Sequence, residues 1–298
     1  MVEQFDDHAT DSLWAAHAVV NQWRSAATDA VPGMLVEPDA SGYRSRMLPF
    51  FDAHVTVGPR KVVFKEQVGG TEATFRRLEE CGIRESLVHH TRSVEDAPQT
   101  GNRLLAGEIR GRPGTHPVWA LMPFSTGELG TPVEVRAALK AEGIRAVILA
   151  PAAHQWNNAE WCAGDLYAML EAMRMPVFVR YRPPDYTWDE LHSLLVNHPR
   201  LPVILRNVHY TVDRTLFRLL DLCPNLHMET SKYVVFFGIE DVVRRFGAER
   251  LIFGSETPFL SPGSPVTALA LSPLPQGDKE KIARGNLVRL LEGIDYDA

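Results

Sequence analysis

The stretch PVFVRYRPPDYTWDELHSLLVNHPRLPVILRN (residues 176–207) decides the fold. Its two ends, PVFVRY (176–181) and PVILRN (202–207), are short runs rich in β-branched and aromatic side chains, which is typical of buried strands. Between them, TWDELHSLLVNHP (187–199) has helical apolar spacing and begins with a capping box, a Thr followed three residues later by Glu. A strand, a helix and a second apolar strand in this order predict a parallel βαβ unit.

The same alternation of strand and helix patterns continues along most of the chain. From residue 47 onward, apolar runs of this kind are each followed by a helical pattern. Apolar strands that alternate with helices indicate a parallel sheet covered by helices. We therefore predict an α/β fold in which residues 47–298 form a (β/α)8 TIM barrel. The predicted strands are LPFFDAH (48–54), ESLVHH (85–90), PVWALM (117–122), RAVILA (145–150), PVFVRY (176–181), PVILRN (202–207), LHMETS (226–231) and LIFGSE (251–256).

The N-terminal part, residues 1–46, lies outside this pattern. Residues 10–28 predict an added helix, followed by a connecting segment that leads into the barrel. The helix is expected to be structural cover or a subunit contact, because four apolar side chains fall on one helical stripe, Leu13, Ala16, Val20 and Trp23.

The composition argues against several classes of protein. The 298 residues include 31 basic and 37 acidic side chains, for a net charge of −6, without the basic clusters that bind nucleic acid. No apolar run approaches the roughly 18 residues of a membrane span, and the acidic start lacks the pattern of a secretory signal. The three cysteines have no zinc-site spacing and are interpreted as reduced thiols. We expect a cytoplasmic protein that binds a small molecule, and a homo-oligomer is compatible with the sequence.

The polar residues that end the strands form the candidate site, because the chemistry of α/β barrels lies at the C-terminal ends of their strands. Several segments there resemble, in order, the landmarks of the amidohydrolase-related (amidohydrolase 2) family of TIM-barrel hydrolases. The resemblance covers about residues 48–292. It is carried by FFDAHVTVG (50–58), NHPRLPVILRN (197–207), CPNLHMETS (223–231), FGAERLIFGSETP (246–258) and GNLVRLL (285–291).

The resemblance implies a metal site, but this sequence departs from its pattern. The family pattern places two histidines after the first strand, one after the fifth, one after the sixth and an Asp after the eighth. Carried over in that order, the positions are His54, Thr56, Arg180, Asn207 and Glu256. Zinc needs at least three protein donors, whereas a guanidinium has no free lone pair and repels a dication. We therefore predict a degenerate site without a metal.

The less favoured alternative is a divalent metal such as zinc held by a rearranged site. It would need further donors from the histidines near the strand ends, His89, His90, His154 and His209. Each of these is more often a satisfied surface or core histidine.

Roles follow for the remaining strand-end residues. Glu256 is the candidate general base, or else the structural partner of Arg180. Arg180 and Arg182 are two apart, so both would face one side and bind a carboxylate or phosphate if the strand continues that far. The alternative for Arg182 is a solvated position beyond the rim. His54 or Asn207 would polarise the scissile carbonyl.

Three further residues are expected to contact the ligand, and one is not. Thr56, Trp156 and Tyr181 lie near the predicted mouth, where the two aromatic side chains either enclose a flat ligand or pack the loops. Arg206 is adjacent to Asn207 and is expected to face the opposite way, with a structural role. On the seventh strand, the sequence leaves open whether Met228 or Glu229 faces inward.

Two functional hypotheses remain. The first is a metal-independent, lactonase-like hydrolase that acts on a small carboxylate-bearing molecule. The family includes metal-independent lactonases, and a decarboxylase would be the enzyme alternative if a metal were bound. The second is a catalytically silent barrel that binds a ligand or an assembly partner.

Overall fold

The structure, a computed structural model, describes residues 48–61, 70–181 and 185–298. The predicted helix over residues 10–28 and the side chain of Arg182 lie outside the described residues. None of the helices in the described ranges is long and apolar enough to cross a bilayer.

Eight parallel strands pair in sequence order, so the predicted (β/α)8 barrel is confirmed. The last strand returns to the first through an isolated bridge between Val55 and Thr257 and through a hydrogen bond of 2.8 Å from Thr56 N to Thr257 O. The strands are β1 (Phe51–Val57), β2 (Glu85–His90), β3 (Thr115–Leu121), β4 (Ala146–Leu149), β5 (Val177–Arg180), β6 (Val203–Arg206), β7 (Leu226–Glu229) and β8 (Leu251–Ile252).

Helices cover the outside of the barrel. The helix that the opening stretch predicts begins with the expected capping box, in which Glu190 N donates to Thr187 Oγ1 at 3.3 Å and Thr187 N donates to Glu190 Oε2 at 2.8 Å. The helices are α1 (Gly70–Glu80), α2 (Thr91–Glu95), α3 (Pro98–Glu108), α4 (Pro132–Ala141), α5 (Glu160–Ala172), α6 (Trp188–Asn197), α7 (Asp213–Leu222), α8 (Gly238–Phe246), α9 (Gly263–Leu271), α10 (Gln276–Glu280) and α11 (Asn286–Glu292).

Apolar side chains fill the inside of the barrel below its C-terminal mouth. Phe178 on β5 and Ile204 on β6 belong to this inner cluster, whereas Val177 and Leu205 belong to the outer layer between strands and helices. Because side chains alternate along a strand, Arg180 shares the inward face with Phe178, and Arg206 shares it with Ile204. The apolar floor therefore ends in Arg180 and Arg206, which lie opposite each other in the register of β5 and β6.

Candidate functional site

A cavity of about 100 Å³ lies at the C-terminal ends of the strands. It brings together five of the residues predicted from the sequence. They are His54, Thr56, Arg180, Asn207 and Glu256. A larger groove of about 760 Å³ shares only Thr56 with this cavity, and its carboxylates already accept hydrogen bonds from within the chain. The smaller cavity is therefore the candidate site.

An irregularity in β1 aims His54 and Thr56 at this cavity. Phe51 and Ala53 face the inner apolar cluster, and the register of β1 against β2 shifts between Asp52 and Val55. A bulge of this kind reverses which residues face inward, and such bulges often re-aim side chains next to active sites. The strand therefore contributes apolar side chains to the floor and polar ones to the mouth.

Hydrogen bonds fix the tautomer of His54, which is buried. Its Nε2 lies 3.1 Å from Arg206 Nη1, and its Nδ1 lies 3.2 Å from Glu229 Oε2. A guanidinium can only donate, so Nε2 must accept. The proton then sits on Nδ1 and is donated to Glu229. His54 is consequently a neutral imidazole without an N–H directed at Arg206.

Glu229 lies beside His54, and the sequence did not settle which way its side chain faces. It is fully buried, and besides His54 it accepts hydrogen bonds from the backbone N–H of Ser231 and, at 2.8 Å, from the Ser231 hydroxyl. Burial by itself would raise the pKa of Glu229, but the hydrogen bonds from His54 and Ser231 outweigh it and lower the pKa. Glu229 is therefore an ionised support beneath His54.

The prediction that Arg206 faces away from the site is wrong. Arg206 lines the cavity, since it follows the inward parity of Ile204. Asn207, just beyond the strand, has a left-handed backbone with φ of 60°. That turn brings the Asn207 side chain to the same cavity, so simple alternation fails for this pair.

Arg180 is held by a partner that the sequence analysis missed. Its Nε and Nη2 lie 2.6 and 2.5 Å from Oδ2 of Asp185, a buried carboxylate in the loop after β5. The Arg180 side chain remains 41% exposed, and Nη1 is not part of this contact. Arg180 therefore stands at the edge of the cavity with its charge partly neutralised.

Glu256 is held between the loops after β6 and β7. Asn207 Nδ2 donates to its Oε1 at 3.0 Å, and Lys232 Nζ lies 3.0 Å from Oε2, as an ion pair rather than an aligned hydrogen bond. Glu256 also has a left-handed backbone, with φ of 57°. Such backbone strain often marks functional sites. Among the described residues, Glu256 and Arg180 share the cavity but form no direct ion pair.

Two buried groups complete the shell around the cavity. Thr56 Oγ1 lies 3.3 Å from His89 Nε2, and burial, with the nearby charge of Arg206, lowers the pKa of His89 well below its ordinary value. Asp52 accepts hydrogen bonds from the backbone N–H of His54 at 2.9 Å and of Ser255 at 3.0 Å. Burial raises the pKa of Asp52 to about 7, against the lowering effect of these hydrogen bonds.

The two aromatic residues expected at the mouth do not line the cavity. Tyr181 stacks on Trp188, with ring centroids 3.7 Å apart, and Trp156 packs against the outer apolar layer. Each ring finds an apolar partner in its own loop or beneath it. Of the two readings, loop packing rather than enclosure of a ligand describes both side chains here.

The residues at the family's ligand positions do not fit a divalent metal ion. The Nε2 lone pair of His54 accepts from Arg206, Arg180 has none to offer, and Glu256 is paired with Lys232. Two guanidinium groups beside the cavity add repulsion toward a cation. Over the described ranges, no group of three His, Cys, Asp or Glu side chains is arranged to hold a metal. His209 contacts Thr211 Oγ1 at 3.1 Å and does not line the cavity.

Comparisons with known proteins show the family of this chain and the structures that share its fold. A family model described as Amidohydrolase matches residues 72–292. No curated protein matches the sequence significantly. Solved structures share the fold at low sequence identity.

Three of these structures illustrate the likeness. A 5-carboxyvanillate decarboxylase from Novosphingobium aromaticivorans, complexed with manganese and 4-hydroxy-3-methoxy-5-nitrobenzoic acid, superposes with a TM-score of 0.66 at 10% identity, over 83% of this chain and 97% of the other. A 2,6-dihydroxybenzoate decarboxylase from Rhizobium gives 0.61 at 14% identity, over 83% and 99%. A TIM-barrel protein from Bordetella bronchiseptica gives 0.57 at 20% identity, over 74% and 82%. Because the family model spans about three quarters of the sequence, the chain belongs to the amidohydrolase family.

Proposed function

We propose that this protein hydrolyses a small carboxylate-bearing molecule without a metal and that Glu256 activates the attacking water. The observation that carries the proposal is the position of Glu256, a buried carboxylate on a strained backbone that lines one cavity with Arg180, Arg206 and Asn207. A carboxylate base beside an anion-binding arginine is what water attack on an anionic substrate requires. A cytoplasmic location and a small-molecule substrate go with this proposal.

The proton transfers can be assigned to named side chains. Glu256 takes a proton from water as the water oxygen bonds to the carbonyl carbon of the substrate. It returns that proton to the leaving oxygen or nitrogen when the bond from carbon to that atom breaks. Asn207 donates one amide N–H to Glu256 and has a second for the carbonyl oxygen. His54 has no proton on Nε2 for that purpose, so Asn207 takes the polarising role and His54 positions Arg206.

Arg180 is proposed to bind the substrate carboxylate at the edge of the cavity. Its Nη1 lies outside the pair with Asp185, and its partial exposure allows a ligand to reach it. The decarboxylases among the similar structures act on carboxylated aromatic compounds, as their names state. This supports a carboxylate on the substrate of this chain as well, without defining the rest of the molecule.

Glu256→Gln tests the assignment of the base. The amide oxygen can still accept from Asn207, so the fold should be kept. Turnover of carboxylate-bearing lactones and esters should fall by about 10²–10⁴-fold, the usual contribution of a general base. Arg284→Gln, which breaks an ion pair with Glu85 away from the cavity, is the matched control and should keep full turnover. Wild-type rates in Glu256→Gln would defeat the proposed mechanism.

A silent ligand-binding barrel is the second candidate. One observation favours it, because Arg180 already pairs with Asp185 and Glu256 with Lys232. A cavity whose charges neutralise one another needs no substrate to be stable. If none of a panel of carboxylate-bearing lactones and esters is hydrolysed while small anions still bind, this second function is the better description.

A further inference from the structure

Arg206 differs from Arg250, a half-buried arginine, in what it touches. It is only 7% exposed, yet its one polar contact in the described part of the chain is Nη1 to His54 Nε2, and its Nε has no partner. None of the described carboxylates lies within ion-pair distance of its guanidinium. Arg250, by comparison, donates to four backbone carbonyls, those of Leu220, Cys223, Pro224 and Leu226.

The surroundings of Arg206 are unfavourable for an isolated cation. Burial lowers the pKa of Arg206 to about 10. The more distant negative charge of Glu229 acts to raise that pKa, and the positive charge of Arg180 lowers it further. A guanidinium carries five N–H donors, and a buried charge without a direct partner is destabilising. The hydrogen bond to neutral His54 uses one of these donors, and the ring of Phe178 lies 5.8 Å from the guanidinium carbon. The two contacts compensate only part of the buried charge.

We propose that Arg206 is a second anion-binding residue, which holds an oxyanion of the ligand in the inner part of the cavity. This inference deepens and rests on the proposed function, since it places the substrate carboxylate between Arg206 and Arg180, which pair in register on neighbouring strands. The planar fork of Arg206 suits a carboxylate, with the unpartnered Nε available as a donor. Glu229 acts through His54 to hold the fork in place.

The test measures anion binding without turnover. Acetate and inorganic phosphate are titrated by calorimetry and thermal shift, against sodium chloride at equal ionic strength. Wild type should bind acetate, and Arg206→Met should weaken that binding at least tenfold. Arg206→Lys should bind with intermediate affinity, because it keeps the charge and loses the fork. Arg250→Met, the matched control, should lose thermal stability but bind acetate as wild type does.

Stability separates a ligand-binding role from a purely structural one. Without added anion, Arg206→Met should melt no lower than wild type, since a methionine avoids the desolvated charge. A large drop in melting temperature with unchanged acetate affinity would overturn the inference. So would acetate affinity within twofold of wild type in both Arg206 variants, or the absence of any anion binding by wild type. Phosphate binding without acetate binding would also contradict a carboxylate-binding site at Arg206.

The same experiment distinguishes this inference from the proposed function. Glu256→Gln should bind acetate at least as tightly as wild type, because it removes a negative charge from the cavity and leaves Arg206 and Arg180 in place. Anion binding that depends on Arg206, in a protein that hydrolyses none of the panel, would keep the inference and reject the hydrolase. Turnover that is unaffected by Arg206→Met would keep the hydrolase and reject the inference.

Discussion

Replacing Arg180 by Met should destabilise the protein through the carboxylate that it leaves behind. Asp185 is only 2% exposed, its Oδ2 contacts two nitrogens of Arg180, and its Oδ1 has no partner. Removing one member of a buried ion pair costs about 3–5 kcal/mol. Arg180 is itself partly exposed, so water can reach the pair and the lower end, about 3 kcal/mol, is expected. In a domain of this size that loss corresponds to a fall in melting temperature of roughly 6 °C.

The partner variant shows whether this reasoning is correct. Asp185→Asn removes the charge and keeps the shape, so the double variant Arg180→Met with Asp185→Asn should recover most of the loss. Chemical denaturation of the wild type, both single variants and the double variant gives the coupling energy directly. A loss below about 1 kcal/mol in Arg180→Met, or a double variant no more stable than it, would refute the buried-charge explanation.

Three other predictions follow from the site. The folded-state pKa of Asp52 is raised from 3.8 to about 7, so the stability that its protonated carboxyl contributes is fully present below the unfolded value and is lost as pH rises through 7. The stability of Asp52→Asn relative to wild type should therefore increase between about pH 4 and 7. A stability difference that does not change with pH would contradict this. The ¹⁵N shifts of His54 should show a neutral ring protonated on Nδ1, whereas an Nε2–H signal would mean that Arg206 does not donate to it. Wild-type protein purified without chelator should contain no zinc or manganese that depends on His54. Stoichiometric metal in wild type that disappears in His54→Ala would reject the metal-free site.

The barrel could be predicted from the sequence because its signals are local. Short apolar runs, helical spacing and the capping box at Thr187 are all readable within about fifteen residues. The strand-end positions followed in the same way, and His54, Thr56, Arg180, Asn207 and Glu256 do share a cavity. The rule that barrel chemistry lies at the strand ends was enough to collect them.

The contacts within the cavity were not predictable from a single sequence. Arg206 was misplaced because the inward position at the end of β6 was assigned to Asn207, whose left-handed backbone lets both residues face the cavity. The parity with Ile204 was the signal that could have corrected this. Asp185 and Lys232 were missed because each lies in a loop and meets its partner only in the folded chain.

The contacts around Glu256 also determine how this cavity could be redesigned. Its carboxylate is held by Asn207 from one loop and Lys232 from another, while Arg206 occupies the imidazole nitrogen that a cation would need. Adding a histidine in place of Thr56 would leave these cations where they are. Removing Lys232 alone would leave the buried carboxylate of Glu256 without its ion-pair partner. Engineering a zinc enzyme from this barrel would therefore require several substitutions made together, starting with Lys232 and Arg206 rather than with the missing histidines.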